Sequence, residues 1–199
     1  IGGLLPHINA ELEQAGNPKR YRNLLGLTFG TGFGAGIVTN GALFTGDNSA
    51  QAEINRMRNS ILPQTSVEDS VSIRAIKRVY AREANIEITN CPEPFDIYKI
   101  GLGELEGDRP AALMAFEEMG RAAANAAADA TSLMDGMIVI GGGLSGASKL
   151  FLSHFSDEMN RSFTTLSGES LDRMEVKAYS LHDEKEKSEF LKTSGKQIP

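Results

Sequence analysis

Two glycine-rich sites carry the clearest chemical signal in this chain. The first is Leu27-Thr-Phe-Gly-Thr-Gly-Phe-Gly-Ala-Gly36, followed at once by Ile37-Val-Thr-Asn-Gly41. An apolar segment runs into glycines, then into a second segment that ends on Asn40-Gly41. Asn-Gly suits a tight type I′ turn, because both residues tolerate positive φ. The glycines therefore sit between the strands of a hairpin-like unit. In a dinucleotide fingerprint or a P-loop they would feed a helix N-terminus instead. A glycine bend between strands still lets backbone N–H groups approach a phosphate closely. The same pattern also suits a glycine-laced hairpin that binds nothing.

The second site, Gly141-Gly-Gly143, follows the apolar run Met137-Ile-Val-Ile140 and precedes a helical pattern. In open α/β sheets, ligands gather at the carboxyl ends of strands. Three glycines there remove the side chains that would block a flat ring or a phosphate. A tight strand-to-helix turn is the plainer use.

Several elements must position these sites. Residues 1–15 are expected to be helical, with Ile1, Leu4, Leu5, Ile8 and Leu12 on one face and Gly16 as the C′ glycine. Residues 24–45 read as two or three short strands around the first glycine run. Residues 46–64 are loop-rich, with Asp47 and Asn48 as ordinary turn residues. A helix is expected from about 67 to 84. Ile73, Ile76, Val79 and Tyr80 line one of its faces; Arg74, Lys77, Arg78 and Arg82 take the other. Residues 85–94 read as a linker.

A long helix is expected from Pro110 to about Met134, its Ala122–Ala130 run letting a neighbour pack close. Met137–Ile140 reads as a strand buried on both faces. A helix from Ser148 to Arg161 follows. A strand over 171–179, including Glu175-Val-Lys-Ala-Tyr179, closes the chain before a charged tail from Asp183. Strands alternating with helices make an α/β fold with a mixed sheet.

The bulk properties narrow the function classes. A chain of 199 residues, 41% hydrophobic and 23% charged, has the make-up of an ordinary globular protein with a sizeable core. A formal charge of −6 with scattered basic residues argues against a nucleic-acid surface. No stretch approaches the run of about 18 apolar residues that a membrane span needs, and no signal peptide is visible. A single cysteine, Cys91, excludes an internal disulfide framework and predicts a cytoplasmic protein. The start at Ile1 and the stop just after an expected strand predict a fragment of something longer.

A family resemblance joins the motifs. Leu27-x-x-Gly-Thr-Gly-x-Gly-x-Gly-Ile-Val, Asn40-Gly41, Gly46 and Ala52-Glu53-Ile54 together resemble the ROK family of repressors, uncharacterised frames and sugar kinases, in particular its glucokinase-type members. Glu68-x-x-x-Ser72-x-x-Ala75-Ile76 resembles the start of that family's next helix. Val139-Ile-Gly-Gly-Gly-Leu-Ser145 is similar to its adenosine-side loop.

The resemblance implies an actin-like (ribonuclease H-like) ATPase fold with two lobes, this chain being mostly the C-terminal lobe. It implies that Gly30, Thr31, Gly32 and Gly34 line the phosphates of Mg-ATP and that Gly141, Gly142 and Gly143 flank the adenosine. It assigns Glu53 and Glu68 to sugar hydroxyls, with Asn48 as a further contact. A carboxylate accepting two hydroxyl hydrogen bonds is a sensible sugar ligand. Self-association, as a dimer or larger, is carried over in the same way.

Plainer readings stand beside these. Glu68 follows Thr65 at capping-box spacing and is equally suited to reach back to a helix N-terminus. Glu53 also reads as a solvated loop residue.

Two departures limit the transfer. Many family members carry Glu-Ile-Gly-His, whose histidine touches sugar and ligates a structural zinc; here the segment is Glu53-Ile-Asn-Arg56. With Cys91 alone and His7, His154 and His182 widely spaced, the roughly four ligands of a tetrahedral zinc cannot be assembled. Arg56 offers a fork of donors to a sugar oxygen or a phosphate, or pairs with Glu53. The family's Asp-x-Gly-Gly-Thr phosphate loop and its catalytic Asn-Asp pair do not occur in this sequence either. No catalytic residue is therefore assigned here, and the base is expected upstream. A sugar-sensing repressor or a pseudokinase on the same fold is the alternative to an active kinase. A plain nucleotide-binding domain using only Gly141–Gly143 is a third reading.

Overall fold

The computed structural model describes residues 3–193; Ile1 of the first helix lies outside the described residues. A four-stranded sheet forms the centre, in the spatial order 42–43, 33–39, 24–29, 137–141. β1 (Leu24–Phe29) and β2 (Phe33–Thr39) pair antiparallel across the glycine turn, with Leu24 opposite Val38 and Phe29 opposite Phe33. β3 (Ala42–Leu43) follows Asn40 and Gly41, which adopt φ of 51° and 79° as a type I′ turn requires. β4 (Met137–Gly141) returns parallel to β1, so the sheet is mixed as expected.

The period of two along β1 sends alternate side chains to opposite faces. Leu25, Leu27 and Phe29 join the main core, while Leu24 packs with Leu5 of α1 (Leu4–Gln14) and with Val38. Gly16 takes the left-handed conformation just past α1, at φ 72°. The main core is built on α4 (Arg109–Met134), a long helix capped by the Asp108 side chain on the Ala111 N–H. Its alanines except Ala130 are buried, and a methyl on Gly120 would lie 2.8 Å from the Phe151 carbonyl of α5 (Ser148–Met159). Small residues thus let α4 and α5 approach closely, as the Ala-rich run predicts.

Three expectations are corrected, and two helices are added where none was assigned. The helix expected over 67–84 is split into a 3-10 turn, Val67–Asp69, and α2, Ile73–Glu83. Ser72 caps α2 by accepting from the Ala75 N–H, while the Ile73 N–H goes to the Gly30 carbonyl. Starting α2 there ties it to the glycine turn.

The stretch after the linker holds α3 (Pro94–Leu102), which the sequence reading passed over. Pro94 at its first turn and Gly103 at φ 79° beyond its end were the signals that could have marked it.

β4 is half-buried along its length rather than buried on both faces. Among the described residues it pairs only with β1, and its other flank lines an apolar groove of about 850 Å³.

The expected closing strand over 171–179 reduces to a short hairpin, β5 (Ser162–Thr164) with β6 (Ser170–Asp172). Beyond it, Ala178 bonds through both its N–H and its carbonyl to the Asn160 side chain, which replaces a strand partner.

The charged tail forms α6 (Glu184–Lys192), capped by Asp183. Its Phe190 is buried against Tyr21 and Tyr179, and Lys187 pairs with Glu11 at 2.9 Å.

Candidate functional site

The two glycine turns meet at the carboxyl ends of β1 and β4, where they line one cleft of about 440 Å³. A methyl on Gly30 would lie 4.0 Å from the Gly143 backbone nitrogen, so the turns stand side by side. Gly142 is needed for that approach, and Gly32 makes room for Glu68. Gly142 sits at φ 91°, and a methyl on it would collide with the Phe29 carbonyl oxygen. A methyl on Gly32 would come within 2.5 Å of Glu68 Oε2. No larger residue fits either position without moving backbone or displacing that carboxylate.

The same cleft takes Glu53 and Glu68 from a different part of the chain. Glu53 precedes a 3-10 turn, Ile54–Arg56, anchored by the buried Ile54. Glu68 sits in the 3-10 turn before α2. Between the two turns, the fully buried Asn59 ties the loop after the first to the residues flanking the second. Its amide nitrogen donates to Thr65 Oγ1, the Ser66 carbonyl and Ser70 Oγ; its oxygen accepts from the N–H groups of Ile61 and Leu62. The backbone adds Val67 N–H to Met57 carbonyl and Asn59 N–H to Thr65 carbonyl. Nothing in the sequence singled out Asn59 within the loop-rich stretch 46–64.

The capping-box reading of Glu68 is corrected by its partners. The Thr65 N–H bonds to the Leu62 carbonyl, while Glu68 Oε2 accepts from the Phe33 N–H at 3.2 Å. Its other oxygen lies 3.5 Å from Arg74. Glu53 meets Arg56 at 3.9 Å, with the Arg56 side chain 82% exposed. At that exposure the ion pair is worth little, and Arg56 does not line the cleft.

Of the other residues singled out from sequence, Gly30, Thr31, Gly32, Gly34, Gly142 and Gly143 line the cleft. Gly141 and Asn48 do not. Gly141 is the last residue of β4, paired opposite Thr28, and Asn48 is exposed in the turn after β3.

The chemistry of the lining is asymmetric. The glycine turns offer backbone N–H groups and open space, which suits an anion. The opposite side offers carboxylates, which accept hydrogen bonds from hydroxyls. Among the described residues no lysine or arginine lines the cleft, so a polyphosphate there would bring its own cation. Among the described residues no group of three or more His, Cys, Asp or Glu is placed to hold a metal. Magnesium at a nucleotide site needs only one or two carboxylates beside phosphates and waters. No helix among the described residues is long and apolar enough to cross a membrane.

Known proteins resemble this chain in sequence and fold. The glucokinase from Parabacteroides distasonis is 46% identical, with a TM-score of 0.85, covering 95% of this chain and 50% of its own. A ROK family glucokinase from Streptomyces griseus, solved with glucose and AMPPNP, is 22% identical with a TM-score of 0.58, covering 76% of this chain and 55% of its own. A ROK family transcriptional regulator, homologous to the E. coli MLC protein, is 20% identical with the same TM-score of 0.58, covering 69% of this chain and 37% of its own. No curated protein matches. The chain spans about half the length of the Parabacteroides glucokinase. The fold is the actin-like ATPase fold of the ROK sugar kinases. The ROK family matches residues 9–185, and the chain belongs to that family.

Proposed function

We propose that this chain is the C-terminal, ATPase-like lobe of a two-lobed sugar kinase that transfers a phosphoryl group from Mg-ATP to a hexose or amino sugar. The observation that supports it is one cleft in which two glycine turns face two glutamates. The 46% identity to a glucokinase adds to it. In this reading Gly30, Thr31, Gly32 and Gly34 take the phosphates through backbone N–H groups. Gly142 and Gly143 flank the adenosine, and Gly141 supports them from the end of β4. Glu53 and Glu68 orient the sugar hydroxyls. Magnesium travels with the nucleotide and supplies charge neutralisation at the transferring phosphoryl group. An aspartate from the other lobe takes the hydroxyl proton, and its phosphate loop completes the cradle. A cytoplasmic, self-associating enzyme fits the same proposal.

The test is calorimetry and a coupled kinase assay on the longer protein with Mg-ATP and a panel of hexoses and amino sugars. Nucleotide binding and sugar-dependent ADP release are the expected result. Failure of any nucleotide to bind would remove the proposal. Sugar binding without turnover would favour the second reading, a sugar-sensing regulator, which shares the fold.

A further inference from the structure

A sugar presents hydroxyls that both donate and accept, and a ring oxygen that only accepts. Glu53 and Glu68 are acceptors only. A site that holds a sugar with these two carboxylates therefore needs a donor beside them.

The sequence points to Arg56 for that role, but its side chain is 82% exposed and leaves the cleft. Within the 3-10 turn Ile54–Arg56, the three side chains go three ways. Ile54 enters the core at 4% exposure, Arg56 meets solvent, and Asn55 lines the cleft beside Glu53. The turn is held by Arg56 N–H to the Glu53 carbonyl and Met57 N–H to the Ile54 carbonyl. Asn55 is thus presented by an anchored backbone. Among the described residues none bonds to its amide. The remaining hydroxyl-bearing residues of the lining, Thr28 and Thr31, belong to the strand and turn of the first glycine site.

Resting on the sugar-kinase reading, we propose that Asn55 is the specificity-determining donor of the sugar site. Its neutral amide gives an N–H to a sugar acceptor oxygen while Glu53 and Glu68 take hydroxyl protons. The class of ligand that matches one amide and two carboxylates is an uncharged sugar. A uronic acid or a sugar phosphate would bring its charge beside Glu53 and Glu68, whose arginine partners Arg56 and Arg74 are 82% and 68% exposed and lie outside the lining.

The experiment is a titration of the 15N-labelled longer, two-lobed protein with D-glucose, D-mannose and N-acetyl-D-glucosamine, followed by NMR. The Asn55 side-chain amide signal is assigned by its loss in Asn55→Ala. At least one sugar is expected to shift that signal, and D-glucuronate is expected not to. Asn55→Ala should weaken the same sugar by roughly 3- to 10-fold, the loss of one neutral hydrogen bond. Asn55→Asp should weaken it further, and Arg56→Ala should leave it unchanged. A sugar that moves the Glu53 and Glu68 backbone signals but leaves the Asn55 amide still overturns this inference and spares the sugar-kinase reading. If Asn55→Ala binds as the wild type does, the inference falls in the same way. Sugars that move no cleft signal at all overturn both.

Discussion

Glu68 Oε2 accepts the Phe33 backbone N–H at 3.2 Å, so one carboxylate from the second half of the cleft is seated in the first glycine turn. The contact joins segments 35 residues apart. It explains why residue 32 is glycine, since a methyl there would come within 2.5 Å of the carboxylate. The side proposed for sugar and the side proposed for phosphate are therefore in direct contact.

Removing this contact has a local consequence. Glu68→Ala should free the Phe33 N–H and speed its amide hydrogen exchange by roughly 10-fold, about 1.4 kcal/mol for a hydrogen bond to a charged acceptor. Glu68→Gln keeps an acceptor and should lie in between. Exchange at Phe33 equal to the wild type in Glu68→Ala would show that the bond contributes nothing.

The two neighbouring glycines Gly142 and Gly143 should respond oppositely. Gly142→Ala forces a side chain at φ 91° against the Phe29 carbonyl. It should cost about 3 kcal/mol or more of stability by denaturant unfolding. At Gly143 a methyl meets nothing within 4 Å. Gly143→Ala should stay within about 0.5 kcal/mol of the wild type, while nucleotide affinity in the longer protein falls. Equal destabilisation by the two would contradict this geometry.

Asn59 has the largest polar stake in the site. Asn59→Ala removes its side-chain bonds and strands buried partners such as Ser70, which is 1% exposed. A loss of about 2–4 kcal/mol is expected in urea unfolding. Asn59→Asp keeps the oxygen that accepts from Ile61 and Leu62 but loses the donors, so it should not rescue. A Tm unchanged in both variants would exclude the tie.

Alkaline pH should destabilise the fold through Cys91 and Lys77. Burial pushes the Cys91 thiol above its ordinary value of 9.0. The hydrogen bond from Lys77 to Glu93 raises Lys77 above 10.5. Both groups hold their protons more tightly when folded. Their contribution is present below pH 9 for Cys91 and below 10.5 for Lys77, and is lost as pH rises through each folded value. Denaturant midpoints should fall above pH 9, and Cys91→Ala should reduce the first part of that fall. At pH 8 the thiol should react with a disulfide reagent slowly when folded and rapidly in denaturant. Fast labelling of the folded chain would refute the burial argument.

What the sequence alone determined was local. Asn40-Gly41 specified its turn because few residue pairs tolerate positive φ twice. The apolar face of α2 and the alanines of α4 were legible because helical spacing places them on one side. The glycine runs and the Glu53 and Glu68 motifs were legible as a family pattern. Tertiary structure decided the partners. Thr65 and Glu68 have capping-box spacing, yet the carboxylate bonds to Phe33, because the glycine turn is brought within its reach. Arg56 and Asn55 are adjacent in sequence, and only the anchoring of Ile54 in the core turns one to solvent and the other to the cleft. The residues 175–179 have the pattern of a strand, but among the described residues they join no sheet, and Asn160 takes the Ala178 backbone groups instead. Spacing encodes which face a residue occupies within its own element; which other element meets that face depends on packing across the whole chain.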